Sequence, residues 1–408
     1  MAEENESIGQ RMRRARLRLG LTQADVAARL RRTQSWVSKV ESGDIELDRA
    51  SVINALAGVL HIHPNELIER PFNGSTAENQ WRVSAAMTLR ELRRYDLTPS
   101  FEGTPRSSAA LWAAMRRLHR LRDDADNTGI LSLLPDLLCE ARALAETSTG
   151  GEREAAFAVY AVACKFAHTS AHALGHPELI TLAAERATWA AERSGDPLLP
   201  AVVDWMRAWD MWATADWEDA LALGDKALRG AAEAYERGDP PALRVWGSLQ
   251  LRAAVSAARA GNAGEAGHRL SLAGEAAKRV AVAAQLPDDR HSLTFSAGNV
   301  GIHGVNIALE LSRQDEALRL HQRLDPSVVA ALPASRRGHY RMDLARAYLW
   351  SGQRELAVAE LSAAERTAPQ LVRNHPIARA TLRRIICGER SGVREQLRRM
   401  SARFHLRA

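Results

Sequence analysis

Apolar residues recur every three to four positions along most of the chain, and the polar breaks between these runs are short. Ile8, Met12, Ala15 and Leu19 share one face of an expected helix over 8–19, with arginines elsewhere. Gly20 stands where a helix end takes a left-handed residue. Thr22 then caps an expected helix Gln23–Leu30, with Ala24, Ala27 and Leu30 inward. Thr33 caps a third over Gln34–Ser42, closed by Gly43. Ala50–Leu60 reads as a fourth helix and Asn65–Ile68 as a short fifth. The polar run Pro71–Thr76 is a boundary signal, and Trp81, Ala85, Leu89 and Leu92 give one face to a helix over 79–95. A second break follows from Leu97 to Pro105. From about 108 onward no period-two alternation is seen, so the expected class is all-α.

The later breaks are periodic. Asp216-Trp217-Glu218-Asp219-Ala220, Gly261 through Ala266, Arg313 through Ala317 and Gly352 through Ala357 share one grammar: a small or polar turn, an acidic helix start, an alanine. With Ile180 after Gly175-His176-Pro177-Glu178, the key positions are 180, 220, 266, 317 and 357, separated by 40, 46, 51 and 40 residues. Each interval fits one helical hairpin, and small residues at fixed places let paired helices approach while stacking buries a continuous core. The pattern resembles degenerate tetratricopeptide repeats over about 108–387, with intervals longer than the usual ~34 residues.

Two short helices joined by a tight turn describe a helix-turn-helix. On Leu21-Thr22-Gln23 and on Thr33 through Gly43, residues 7–69 resemble the phage-repressor (Cro-type, xenobiotic-response-element) family. The resemblance implies that Gln34 and Ser35 read base edges from the start of a recognition helix. It places Lys39 one turn further on, in reach of guanine or phosphate. Gln23 corresponds to a phosphate clamp, Thr33 and Ser38 to backbone contacts, Arg32 to a further DNA-binding residue, and Arg16 with Glu41 to an internal ion pair. Trp36 is bulky where relatives are small; it packs on DNA or on its own domain. The bland alternative for Gln34 and Ser35 is a solvated polar helix start.

Charge sharpens this reading. The 408 residues are 46% hydrophobic and 25% charged, the balance of a globular protein, and the net charge is +6. Residues 8–40 hold nine basic groups against Asp25 alone, and residues 378–408 hold nine arginines against Glu389 and Glu395. A local excess of this size is an electrostatic footprint for nucleic acid. No run approaches the ~18 apolar residues of a membrane span. The start is acidic with no apolar run, so no secretory signal and a cytoplasmic location are expected. Cys139, Cys164 and Cys387 are too scattered for a disulfide framework.

The expected layout is a five-helix helix-turn-helix domain over 7–70, a linker with one helix over 71–107, an α-solenoid of tetratricopeptide-like hairpins over 108–387, and a basic capping helix over 388–408. That layout resembles the Rgg/PlcR-like peptide-sensing regulators and a set of actinobacterial regulators, the latter favoured by arginine and alanine richness. In the first group the solenoid dimerises and binds a short peptide in its groove. The resemblance therefore implies operator DNA, a homodimer and a peptide or small-molecule effector as partners.

Several constellations are candidates for the groove. Ser296, Asn299, His303, Asn306 and Glu310 form a polar stripe that suits a peptide clamp or a solvated face. Gly298, Gly301 and Gly304 on the same helix signal close approach of a neighbouring helix or of a ligand backbone. Trp205, Trp209 and Trp212 are core or groove wall, and Tyr340 and Arg341 open a helix that could face the groove. Cys164, His168 and His172 could aim two imidazoles at a metal, but no acidic partner follows in a metalloprotease pattern, so no metal is expected. Nucleophile signatures and phosphate loops are absent, so neither catalysis nor a cofactor is expected. The expected function is sequence-specific transcription regulation. The alternative is a repeat scaffold for a protein partner with DNA binding secondary; a metal-dependent enzyme would need the Cys/His cluster.

Overall fold

The computed structural model describes residues 7–47, 49–60, 62, 67, 76–282, 290–387, 394–404 and 406. All regular structure among them is helical. The N-terminal unit consists of α1 (Ile8–Arg18), α2 (Gln23–Arg29), α3 (Gln34–Ser42) and α4 (Ala50–Val59). Each of the first three begins at a side-chain cap, Ser7, Thr22 or Thr33. Their core is Ile8, Met12, Ala15, Val26, Ala27, Val37, Val40, Ile53, Leu56 and Leu67. Two expectations change here. Leu19 lies past the last turn of α1 and is 42% exposed, and Arg16 is buried in its place. Ala24 is exposed while Val26 is buried, because the buried face of α2 is rotated by about one residue. The expected helix over 65–68 lies, apart from Leu67, outside the described residues.

α5 (Thr76–Arg93) buries Ala85, Leu89 and Leu92 as its pattern required. Arg142 ties it to the next region, donating to the Leu97 carbonyl at 2.8 Å and pairing with Glu91 at 3.1 Å. Six hairpins follow: α6 (Ser108–Asp123) with α7 (Asn127–Thr147), α8 (Gly150–Leu174) with α9 (Pro177–Ala191), α10 (Leu199–Asp210) with α11 (Trp217–Glu236), α12 (Pro240–Arg259) with α13 (Ala263–Val282), α14 (Ala297–Glu310) with α15 (Gln314–Arg323), and α17 (Ala334–Trp350) with α18 (Arg354–Thr367). The short α16 (Pro326–Ala330) precedes α17, and α19 (Pro369–Asn374), α20 (Pro376–Cys387) and α21 (Arg394–Arg403) complete the chain.

One local device makes all six turns. Ala125, Gly175, Ala215, Gly261, Ser312 and Gly352 have φ between 59° and 80°. The amide after each donates to the carbonyl five residues back, for example His176 to Ala171 at 2.9 Å and Gln353 to Tyr348 at 2.8 Å. This left-handed C-terminal motif reverses the chain while satisfying the helix-end carbonyls. Five residues after the left-handed residue comes the small or apolar contact: Ile130, Ala220, Ala266, Ala317 and Ala357 are buried and Ile180 partly so. The register read from the sequence therefore holds, with Ile130 as an added member.

The first helices, α6, α8, α10, α12, α14, α17 and α20, touch in sequence and form an inner layer, with the second helices packed between them outside. The curl is tight enough for α17 to touch α6 and α19 to touch α8. Gln370 seals this closure, accepting from the Thr128 amide and donating to Asp126, both at 3.1 Å. α21 packs Leu397, Met400 and Phe404 into the last core, and Arg403 forks onto Glu365 at 2.7 Å through both nitrogens.

Candidate nucleic-acid interface and concave groove

α3 is held from behind by one buried ion pair. Arg16 Nε and Nη2 donate to the two oxygens of Glu41 at 2.6 and 2.9 Å. Burial pushes the Glu41 carboxyl up, but hydrogen bonds from Arg16 and Gln23 win and hold it below its ordinary value. Val37 and Val40 bury the same side of the helix. The opposite side is bare: Arg32, Thr33, Gln34, Ser35, Ser38 and Lys39 are all exposed. Thr33 Oγ1 accepts from the Trp36 amide at 3.2 Å, so its hydroxyl is committed to capping. Trp36 is partly buried against its own core, with Arg32 5.5 Å from its ring centre. Gln23, read as a phosphate clamp, gives its amide to Glu41 at 2.9 Å and so also braces α3. Arg13, Arg14 and Arg18 on α1 are exposed as well.

The inner layer gathers a second set of residues. Trp205 is buried, whereas Trp209 and Trp212 remain partly exposed. Around them stand Arg252 from α12 and His168 and His172 from α8. His168 and His172 meet Asp210 Oδ1 at 2.8 and 2.9 Å. Asp210 is the acid the sequence reading lacked; it comes from a different helix, beyond the reach of local spacing. The three groups could share an ion by distance, all within 4.8 Å. Against this, His168 Nδ1 is buried with no hydrogen-bond partner, and a metal-bound imidazole needs an acceptor there. Since carboxylate oxygens only accept, each imidazole donates from Nε2. Burial drives His172 down to about 4, and the two donors overcome burial to hold Asp210 at about 2. Cys164 stays out of the cluster, its thiol raised by burial.

The polar stripe of α14 is largely spoken for by the protein. Ser296 is the N-cap of α14. Asn299 is buried and donates to the Thr294 carbonyl at 2.7 Å, leaving Oδ1 without a partner. His303 Nδ1 donates to the Asn299 carbonyl at 2.7 Å, so Nε2 is left as an acceptor. Burial and Arg336 keep this imidazole neutral, at about 3. Asn306 donates to Asp343 at 3.0 Å. The glycines serve helix approach: a Cβ on Gly298 would lie 2.6 Å from the Val328 carbonyl oxygen, and one on Gly301 would strike Leu324.

Tyr340 and Arg341 do not face the groove. Tyr340 is buried in the cluster between α14, α15 and α17 and bonds His321 at 2.5 Å, while Arg341 pairs with Glu360 at 2.8 Å. Arg336 and His339 take the inner side of α17 instead, with Asp343 and Arg346. His339 lies about 100° round the helix from Tyr340 and Arg336 only about 40°, so spacing alone does not choose between them.

Residues 7–69 match the family described as a helix-turn-helix domain. The N-terminal unit is a helix-turn-helix domain. No curated protein matches the chain. Among solved structures it is similar to the crystal structure of Bacillus thuringiensis PlcR in complex with the peptide PapR7 and DNA, at 15% identity, covering 68% of this chain and 97% of that one with a TM-score of 0.28. No helix among the described residues is long and apolar enough to cross a membrane. The helix-turn-helix domain rests on the repeat region through α4, which packs on the turn Met211–Ala213, and through Arg49, which donates to Ser312 Oγ at 2.5 Å.

Proposed function

We propose that the protein is a DNA-binding transcription regulator that reads its operator with α3 as a homodimer and is tuned by an effector in the concave groove. The observation that carries the reading is the division of α3: Gln34, Ser35, Ser38 and Lys39 exposed on one side, the Arg16–Glu41 pair and two valines locking the other. Exposed amide, hydroxyl and ammonium groups on a rigid helix are what base edges and phosphates bind. The basic surface of α1 supports the same assignment by supplying sequence-independent attraction. The effector part is supported by the partly exposed His303, whose Nε2 has no hydrogen-bond partner among the described residues, and by the partly exposed Trp209 and Trp212 on the same inner layer.

Selection of duplexes from a random library by the purified full chain tests this. Enrichment of one motif supports the reading; retention of all duplexes alike, or of none, overturns it.

A further inference from the structure

Two guanidinium groups of the inner layer have no hydrogen-bonded or ion-paired acid among the described residues. Arg252 lies 4.0 Å from the ring centre of Trp205, 4.9 Å from Trp209 and 4.8 Å from Trp212. These rings attract the cation with their π faces, but they cannot accept its N–H groups as an oxyanion would, and Arg252 Nε has no hydrogen-bond partner. Asp210 acts on Arg252 through space, but among the described residues its side-chain hydrogen bonds go to the two imidazoles and none to the guanidinium. Arg336, from α17, has neither a hydrogen bond nor an ion pair from its side chain among the described residues. The two arginines stand on α12 and α17, which both pack against α14, the helix that carries His303, and their charges act on each other and on that imidazole.

The other charges around them do not relieve this. Glu310 is shared by Arg346 and Arg259 at 3.5 and 3.7 Å, and Asp343 is taken by Arg346 and Asn306. Arg122, itself paired with Asp123 at 2.9 Å, and Lys165 both donate to Ser292, to its hydroxyl at 2.6 Å and its carbonyl at 2.5 Å. Burial lowers Arg252 well below the usual guanidinium range and Arg336 to about 10. Uncompensated charge of this kind opposes folding unless something neutralises it. Arg252, His303 and Arg336 nevertheless keep some exposure, so solvent and solutes reach them.

We propose that the groove carries an oxyanion site, in which Arg252 and Arg336 together hold the carboxylate or phosphate group of the effector. Planar guanidinium groups match either group through paired N–H donors. The neutral Nε2 of His303 stays an acceptor and suits a protonated or hydroxyl edge of the same ligand. The site rests on the effector reading above, yet it can be tested without DNA.

The test titrates hexanoate, its neutral twin hexanamide, and inorganic phosphate into the full chain, following tryptophan fluorescence and the thermal midpoint. Fluorescence is the direct reporter because three tryptophan rings lie within 5 Å of Arg252. A saturable response to hexanoate but not hexanamide supports a carboxylate ligand; a response to phosphate supports a phosphoryl one. Arg252→Gln and Arg336→Gln should each weaken it at least tenfold, while Arg229→Gln, at an exposed site on α11, should not. Should either glutamine variant fail to fold, Arg252→Lys and Arg336→Lys decide, keeping the charge but losing the fork and with it most of the affinity. No response to either anion, or an equal response in the groove variants, overturns the site. Duplex selection without added anion is scored separately, so a lost operator and a lost anion site are told apart.

Discussion

Arg49, the residue before α4, places its guanidinium 4.5 Å from the centre of the Trp350 ring at the end of α17. On the same ring sits Arg346, at 5.0 Å, which pairs with Asp343, the partner of Asn306. A continuous set of contacts therefore runs from the groove to the domain that carries α3.

Removing this contact should loosen the domain without unfolding it. A partly exposed cation–π pair contributes about 0.5–1 kcal/mol, so Trp350→Ala should raise exchange of α4 amides roughly two- to fivefold. Hydrogen exchange measured peptide by peptide checks this; unchanged α4 exchange would show that other contacts hold the seat.

Gln34→Ala, Ser35→Ala and Lys39→Ala should each reduce affinity for the selected operator by about 1–3 kcal/mol, roughly 5- to 150-fold, with circular dichroism unchanged. Full affinity in all three variants would reject α3 as the reading helix.

Glu41→Ala should destabilise the helix-turn-helix domain by about 3 kcal/mol, because it leaves Arg16 buried without its partner. Acid should act in the same direction. Glu41 is held below its ordinary value in the folded domain, so the stabilisation is whole above the free carboxylate range, about pH 4.3, and fades as pH falls further. A thermal transition of this domain that is flat between pH 6 and 3 would contradict the pair's role.

Gly247→Ala should cost about 1–3 kcal/mol by overpacking, since the added Cβ would strike the Phe295 ring. Trimming the ring in Gly247→Ala/Phe295→Leu should recover part of the loss, as read from denaturant midpoints. Additive losses in the double variant would separate the two sites.

For a two-fold dimer, the operator should be an inverted repeat with half-sites about 10–10.5 bp apart, or a multiple of that spacing. Footprinting that protects a single asymmetric half-site would reject the dimer.

Local chemistry, carried by the sequence itself, determined the helix-turn-helix and the hairpin rhythm. Thr22, Thr33 and Gly43 act within a few residues of the helix ends they shape, and each hairpin turn needs only its own hydrogen bond. The rhythm was legible even where Ala215 and Ser312, rather than glycine, take the left-handed position, because the alanine five residues later still had to be small. The tertiary structure alone decided which side chains share the groove. Asp210 reaches His168 across 42 positions, and Arg252 meets Trp205 and Trp209 on α10 and Trp212 in the turn after it. Tyr340 looked like a groove residue by its place in the repeat, but one residue on a helix turns a side chain by about 100°. The packing of α14 and α15 on α17 buries Tyr340 and leaves the inner side to His339 and to Arg336, one turn back and about 40° away. Periodicity shows that a helix has two faces; only the packing of its neighbours shows which one is enclosed.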